Sequence, residues 1–177
     1  MTRRAVMAIV AVGLWLAASG GPVSALTEIP FRSIIHETFE RRASADPCVV
    51  DEVADTLTCP GVGTVQGFGR TTSSILFLSA THPDPATAVR TLTFDDGSTL
   101  QIAEDEFISF HTPGNSAEAP GASVSFGNPF TVQVTWVVLG GTGFFEGATG
   151  SGLQIVQAAG DETNIRMVGT ISIDAAD

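Results

Sequence analysis

Apolar and polar residues alternate with a period of two along most of this 177-residue chain, the pattern of strands with one dry face and one wet face. The clearest case is Thr131 to Val138. Val132, Val134, Trp136 and Val138 fall on one side, and Thr131, Gln133 and Thr135 on the other. Ile165 to Ile173 repeats it, with Ile165, Met167, Ile171 and Ile173 opposite Arg166, Thr170 and Ser172. Arg90 to Phe94 and Ser98 to Ile102 flank Asp95-Asp96-Gly97, whose Asp-Gly pair tolerates the positive φ of a tight hairpin. Further strands are expected over 31–40, 63–68, 71–80, 106–111, 122–126 and 152–158. Helical periodicity is nearly absent, and Pro83, Pro85, Pro113 and Pro120 fall in the gaps, where a missing N–H breaks no ladder. One wet face per strand needs only one core. A single antiparallel eight-stranded β-barrel satisfies this and leaves no open edge; a two-sheet β-sandwich is the alternative.

The first 25 residues break the pattern. Arg3 and Arg4 precede an apolar run from Ala5 to Ala18, and Val23-Ser24-Ala25 reads as a small-residue cleavage site. Residues 1–25 are therefore expected to be an export signal and 26–177 one secreted or periplasmic domain. The apolar run is 14 residues long, shorter than the roughly 20 that span a bilayer, and no second run of membrane length follows. No stable membrane insertion is expected after cleavage.

Charge narrows the partners. All 19 acidic residues lie beyond residue 25, against six arginines (Arg32, Arg41, Arg42, Arg70, Arg90, Arg166) and no lysine, leaving −13 on the cleaved chain. Nucleic acid and anionic membrane surfaces demand a basic patch able to release counterions, so neither is an expected partner. Cys48 and Cys59 make an even count in an exported chain, which favours a disulfide over a metal or redox site. A bridge closing so short a loop would add on the order of 3 kcal/mol. The enclosed segment, with Asp51, Glu52 and Asp55, reads as a stapled surface loop with little to place in a core; the glycine and ligand periodicity of a calcium loop is missing.

The most distinctive run is Gly140-Gly141-Thr142-Gly143-Phe144-Phe145-Glu146-Gly147-Ala148-Thr149-Gly150-Ser151-Gly152. It does not suit phosphate: a Walker loop needs a lysine, Glu146 stands where GxGxxG needs its third glycine, and a strand rather than a helix follows. The run resembles the GGTGxFxGAxG hairpin of secreted bacterial proteins related to the allene oxide cyclase and dirigent barrels. That resemblance is most specific over about Asn128 to Gly152 and implies an eight-stranded antiparallel barrel. Gly140, Gly141, Gly143, Gly147 and Gly150 would permit a tight irregular turn, with Phe145 folding back to close one barrel end. Phe144, adjacent on an extended backbone, would then reach the rim as a possible oligomer or partner contact, or be partly covered by a neighbouring loop.

One carboxylate stands out as a candidate for chemistry. Phe31, Ser33, Ile35, Glu37 and Phe39 share a face, and if that face lines the barrel, Glu37 sits among apolar neighbours as a candidate general acid or base. A solvated place near the strand end is the alternative. Plant allene oxide cyclases carry a comparable first-strand glutamate, followed two positions later by asparagine and then by Glu-Arg. Glu37, Glu40 and Arg41 resemble that run, with Phe39 where the asparagine would be, which removes a polar group the cyclase site uses. His36, His82 and His111 lack metal-ligand spacing, no GxSxG elbow is present, and no cofactor is expected. Three functions remain open: binding of a small apolar or amphipathic molecule in the barrel mouth, a cyclase or dirigent-like guide of ring closure, and a structural module filled by Trp136, Phe94 and Met167.

Overall fold

A computed structural model describes residues 26–38, 48–78, 88–112, 115–117, 129–159 and 162–174. They form β1 (Leu26–Thr38), β2 (Val49–Asp51), β3 (Thr56–Val65), β4 (Gly69–Phe77), β5 (Val89–Phe94), β6 (Thr99–Thr112), β7 (Asn115–Ala117), β8 (Phe130–Thr142), β9 (Thr149–Ala159) and β10 (Glu162–Asp174). One 3-10 turn spans Gly143–Phe145. The expected export signal, the strand expected over 122–126, Phe39, Glu40, Arg41 and His82 lie outside the described residues.

Neighbouring strands run β1-β10-β9-β8-β6-β5-β4-β3, and β3 then pairs with β1 from Ser33↔Val65 to Glu37↔Gly61. Every pairing is antiparallel. The sheet therefore closes on itself as an eight-stranded barrel rather than splitting into a sandwich. Two short strands lie outside the ring: β2 pairs with the first residues of β3, and β7 with the last of β6.

The two barrel ends differ. At one, the hairpins β3–β4, β5–β6 and β8–β9 turn within a few residues. At the other, β1–β2, β4–β5 and β6–β8 are joined by much longer connections. Aromatic rings close the hairpin end. Phe145 is buried and packs on Phe94 (ring centroids 4.8 Å apart) and Phe68 (5.1 Å), while Phe144, 49% exposed, lies edge-on to Phe68 at 5.4 Å. The glycine-rich turn docks on the neighbouring one through Ser98, whose Oγ accepts from the Phe144 N–H (3.1 Å) and donates to Asp96 (2.9 Å). Gly143, at φ +61°, approaches so closely that a Cβ would lie 2.6 Å from Ser98 Oγ.

The strands follow the expected order, with three corrections. Residues 66–68, expected to end a strand begun at Gly63, form the turn after β3, which starts instead at Thr56. The segment from Cys48 to Cys59 is not a loop lacking core residues: it is the β2–β3 hairpin, joined by the Cys48–Cys59 disulfide, and its alternation buries Leu57 and Cys59 against Ile75, Phe77 and Ala88. Residues 98–102 and 106–111 are not separate strands either. All of them but Ser98, which precedes the strand, belong to β6, which runs through a bulge where Glu104 pairs with Trp136 and Phe107 with Val134, so that Asp105 and Glu106 oppose Thr135 alone. Thr135 Oγ1 accepts the Glu106 N–H at 2.9 Å, which compensates for the ladder bond the bulge removes.

Inward side chains fill the hairpin half of the barrel. Trp136 lies across Gly152 and Gly169, where a Cβ on either glycine would come within 2.5 Å of the indole. Phe31 meets the same ring edge-on at 5.4 Å, and Met167 and Phe94 are buried in the same core.

Candidate functional site

Alternation that places aliphatic residues inside also places polar ones there wherever the sequence supplies them. On β1 the buried face is Phe31, Ser33, Ile35 and Glu37; on β5 it is Arg90, Leu92 and Phe94; on β6 Leu100, Ile102 and Glu104; on β9 Gln154, Val156 and Ala158. Ser73 points inward from β4. Glu37, Arg90, Glu104 and Gln154 are each at most 3% exposed, so four long polar side chains share the interior of a barrel whose remaining lining is largely apolar.

They converge on the guanidinium of Arg90. Nη1 donates to Glu37 Oε1 and to Ser73 Oγ (2.9 Å), Nη2 donates to Glu104 Oε1 (3.1 Å), and Gln154 Nε2 donates to that same oxygen at 2.7 Å. Ser73 Oγ also donates to Glu37 Oε1 (3.2 Å). One side chain thus ties β1, β4 and β6, strands that are not neighbours in the ring. Burial alone would lower the Arg90 pKa, but the two facing carboxyls outweigh it and the cation is held more firmly than usual. Glu104 goes the other way: burial raises its pKa, and the attraction of Arg90 with the bonds from Gln154 and Arg90 offsets that only in part.

Several polar atoms in this interior stay without a partner among the described residues: Arg90 Nε, Glu104 Oε2, Gln154 Oε1, Trp136 Nε1 and Ser33 Oγ. Two are N–H donors and two are oxygen acceptors, and Trp136 sits directly opposite Glu104 in register. Buried polar groups are nearly always satisfied, by water or ligand if not by protein, because leaving one bare costs about 1–3 kcal/mol.

The structure separates the residues that the sequence singled out. Glu37 is in the cluster, but with Arg90 and Ser73 as neighbours rather than apolar groups alone. Its opposite number on β3 is Gly61, where a Cβ would lie 2.6 Å from Glu37 Cγ, so the glycine makes room for the carboxylate. Gly140, Gly141, Gly143, Phe145, Gly147 and Gly150 belong to the β8–β9 turn region at the hairpin end, away from the cluster. His36 and His111 are exposed, and among the described residues no three His, Cys, Asp or Glu side chains group as metal ligands. Sequence reasoning passed over Arg90, Glu104, Gln154 and Ser73. Continuing the two-residue period back from Leu92 and Phe94 to Arg90, and on from Leu100 and Ile102 to Glu104, would have placed both inside.

No known family profile and no curated protein matches this chain. Among solved structures it is similar to a pterocarpan synthase dirigent protein, with 14% sequence identity, 92% of this chain and 100% of the other covered, and a TM-score of 0.49.

Proposed function

We propose that this protein is an extracytoplasmic ligand-binding barrel that takes a small apolar or amphipathic molecule through the end bearing the long connections. The ligand's polar end would meet Arg90, Glu104 and Gln154. The observation that carries this reading is the buried cluster with its unpartnered atoms: donors and acceptors face a mostly apolar interior and await a group that can satisfy them. Phe110 and Phe130, stacked at 5.6 Å beside the inward residues Val132 and Val156, offer an apolar wall toward that end. The Cys48–Cys59 disulfide supports an oxidising compartment.

A second reading, a dirigent-like guide or cyclase-type isomerase, is favoured by one feature. Two buried carboxyls share one guanidinium, and burial of Glu104 favours its neutral acid form beside Glu37. A buried carboxyl held in its neutral form is a candidate general acid.

Native mass spectrometry of the protein isolated without denaturation tests the binding reading. A reproducible adduct of a few hundred daltons, the mass of a molecule that fits such a pocket, is expected; a bare chain in every preparation contradicts it and leaves a packed structural module. Glu37→Gln then separates the two readings. Loss of turnover or of stereochemical control with the adduct retained would identify the second reading, whereas a binder keeps its ligand and has neither to lose.

A further inference from the structure

The outer surface of the barrel carries a charge asymmetry that the buried site does not explain. On β1 the outward residues Arg32, Ile34 and His36 are exposed. Strand register sets Arg166 and Thr64 on either side of Ile34, Val168 beside Arg32, Val62 beside His36, and Arg70 beyond Thr64 on β4. Three of the six arginines beyond the export segment therefore occupy one face of a strongly acidic chain, interleaved with Ile34, Val62 and Val168, which are 48–62% exposed. Among the described residues none of these three arginines is ion-paired. Two shallow grooves run along this face and share Ile34 and Thr64.

The complementary surface is on the same chain. The β2–β3 hairpin exposes Val49, Val50 and Val53, the last fully, beside the exposed carboxylates of Asp51, Glu52 and Asp55. An acidic surface with exposed aliphatic side chains complements a surface that carries arginines and exposed aliphatic side chains. The hairpin cannot fold back on its own barrel face, because β3 belongs to both: Thr56–Thr58 pair with β2 and Gly61–Val65 with β1 along the same edge. Asp55 and Val62 are seven residues apart on extended chain, about 23 Å at ~3.3 Å per residue.

We propose that the disulfide-stapled β2–β3 hairpin of one copy docks on the arginine-bearing β1/β3/β10 face of a second copy. Face-to-face pairing of two arginine surfaces would set like charges together, so the contact joins unlike patches and closes either reciprocally in a pair or around a ring. This inference is independent of what the barrel interior holds.

Sedimentation velocity on three purified chains tests it: wild type, Glu52→Arg with Val53→Arg, and Arg32→Glu with Arg166→Glu. These side chains are all exposed, so circular dichroism should confirm unchanged folds. Wild type is expected to assemble at about 0.05 M salt and to dissociate at about 0.5 M, where the Debye length falls to a few ångströms. Each double variant alone should weaken association at least tenfold, and an equimolar mixture of the two should restore it, because each then supplies the patch that the other's reversed charges require. A monomeric wild type at every concentration overturns the proposal and leaves the face to a different anionic partner. Assembly indifferent to both charge reversals, or variants that fail to rescue each other, overturns it equally.

Discussion

Arg90 on β5 reaches across the barrel interior to form a buried ion pair with Glu37 on β1, a residue 53 positions earlier in the chain. The same guanidinium holds Glu104, so one cation faces two carboxyls in a place closed to solvent. Such an arrangement is weak evidence for net stability, since the cost of desolvating buried ionisable groups offsets most of what their attraction returns. Its presence in a barrel whose remaining lining is largely apolar is what points to use.

Removing the cation alone should therefore be severe. Arg90→Met leaves two carboxyls buried without their cation and is expected to cost about 3–5 kcal/mol in urea unfolding. Replacing all three with apolar residues of similar size should recover most of that loss, or exceed wild type. A triple variant as unstable as Arg90→Met would mean that the cluster is a net structural support.

The raised pKa of Glu104 has a defined sign. The folded state binds its proton more tightly than the unfolded chain, where the value is 4.5. Between that value and the raised folded one, stability falls as pH rises, by up to about 1.4 kcal/mol per pH unit. Glu104→Gln retains an oxygen that can accept from Arg90 and Gln154 and removes the titration, so its melting temperature should decline less over that window. Asp96 acts in the opposite sense. Hydrogen bonds from the Ser98 N–H and hydroxyl lower its pKa, so its contribution is present above the ordinary value of 3.8 and is lost as pH falls through the folded one.

The glycine slot under Trp136 should be intolerant of side chains. Gly152→Ala sets a methyl 2.5 Å from the indole and closer still to the Val168 carbonyl oxygen, and is expected to destabilise by about 1–3 kcal/mol. Combining it with Trp136→Phe, which withdraws the contacting ring atoms, should recover part of the loss. A double-mutant cycle with no coupling would show that the ring does not fix this wall.

Reduction of the Cys48–Cys59 bridge releases the β2–β3 hairpin. The lost constraint is worth about 3 kcal/mol for a loop of this size. Loss should be local first: amides of β2 are expected to exchange faster under reducing conditions while those of β8, β9 and β10 stay protected. Uniform deprotection would show that the hairpin is needed for the whole barrel.

Much of this molecule was legible in its sequence because a barrel writes its inside and outside into alternate positions. Val132, Val134 and Trp136 read as one face of a strand, and they line one. The Asp96-Gly97 turn was equally plain, since Gly97 adopts φ +84°. The start of β3 was hidden because Pro60-Gly61-Val62-Gly63 looks like a break. The reason for two of those residues lies on another strand, where Gly61 and Gly63 leave room for Glu37 and Ile35. The cluster was half visible. Glu37 declared itself by sharing a face with Phe31 and Ile35, but its partner is set by barrel closure, which brings β4, β5 and β1 to a common interior and which no local pattern encodes.

Trp136, the one tryptophan beyond residue 25, reports directly on whether the barrel takes a ligand. Titrating the purified chain of residues 26–177 with N-phenyl-1-naphthylamine, an uncharged amphipathic fluorophore with a single N–H, should give saturable energy transfer from the buried indole at one probe per barrel. Gln154→Leu, which removes an unpartnered acceptor and a donor to Glu104, should weaken binding about tenfold, equivalent to ~1.4 kcal/mol. No saturable transfer, or affinity unchanged by Gln154→Leu and by Arg90→Met, would contradict a ligand site built on the Arg90 cluster.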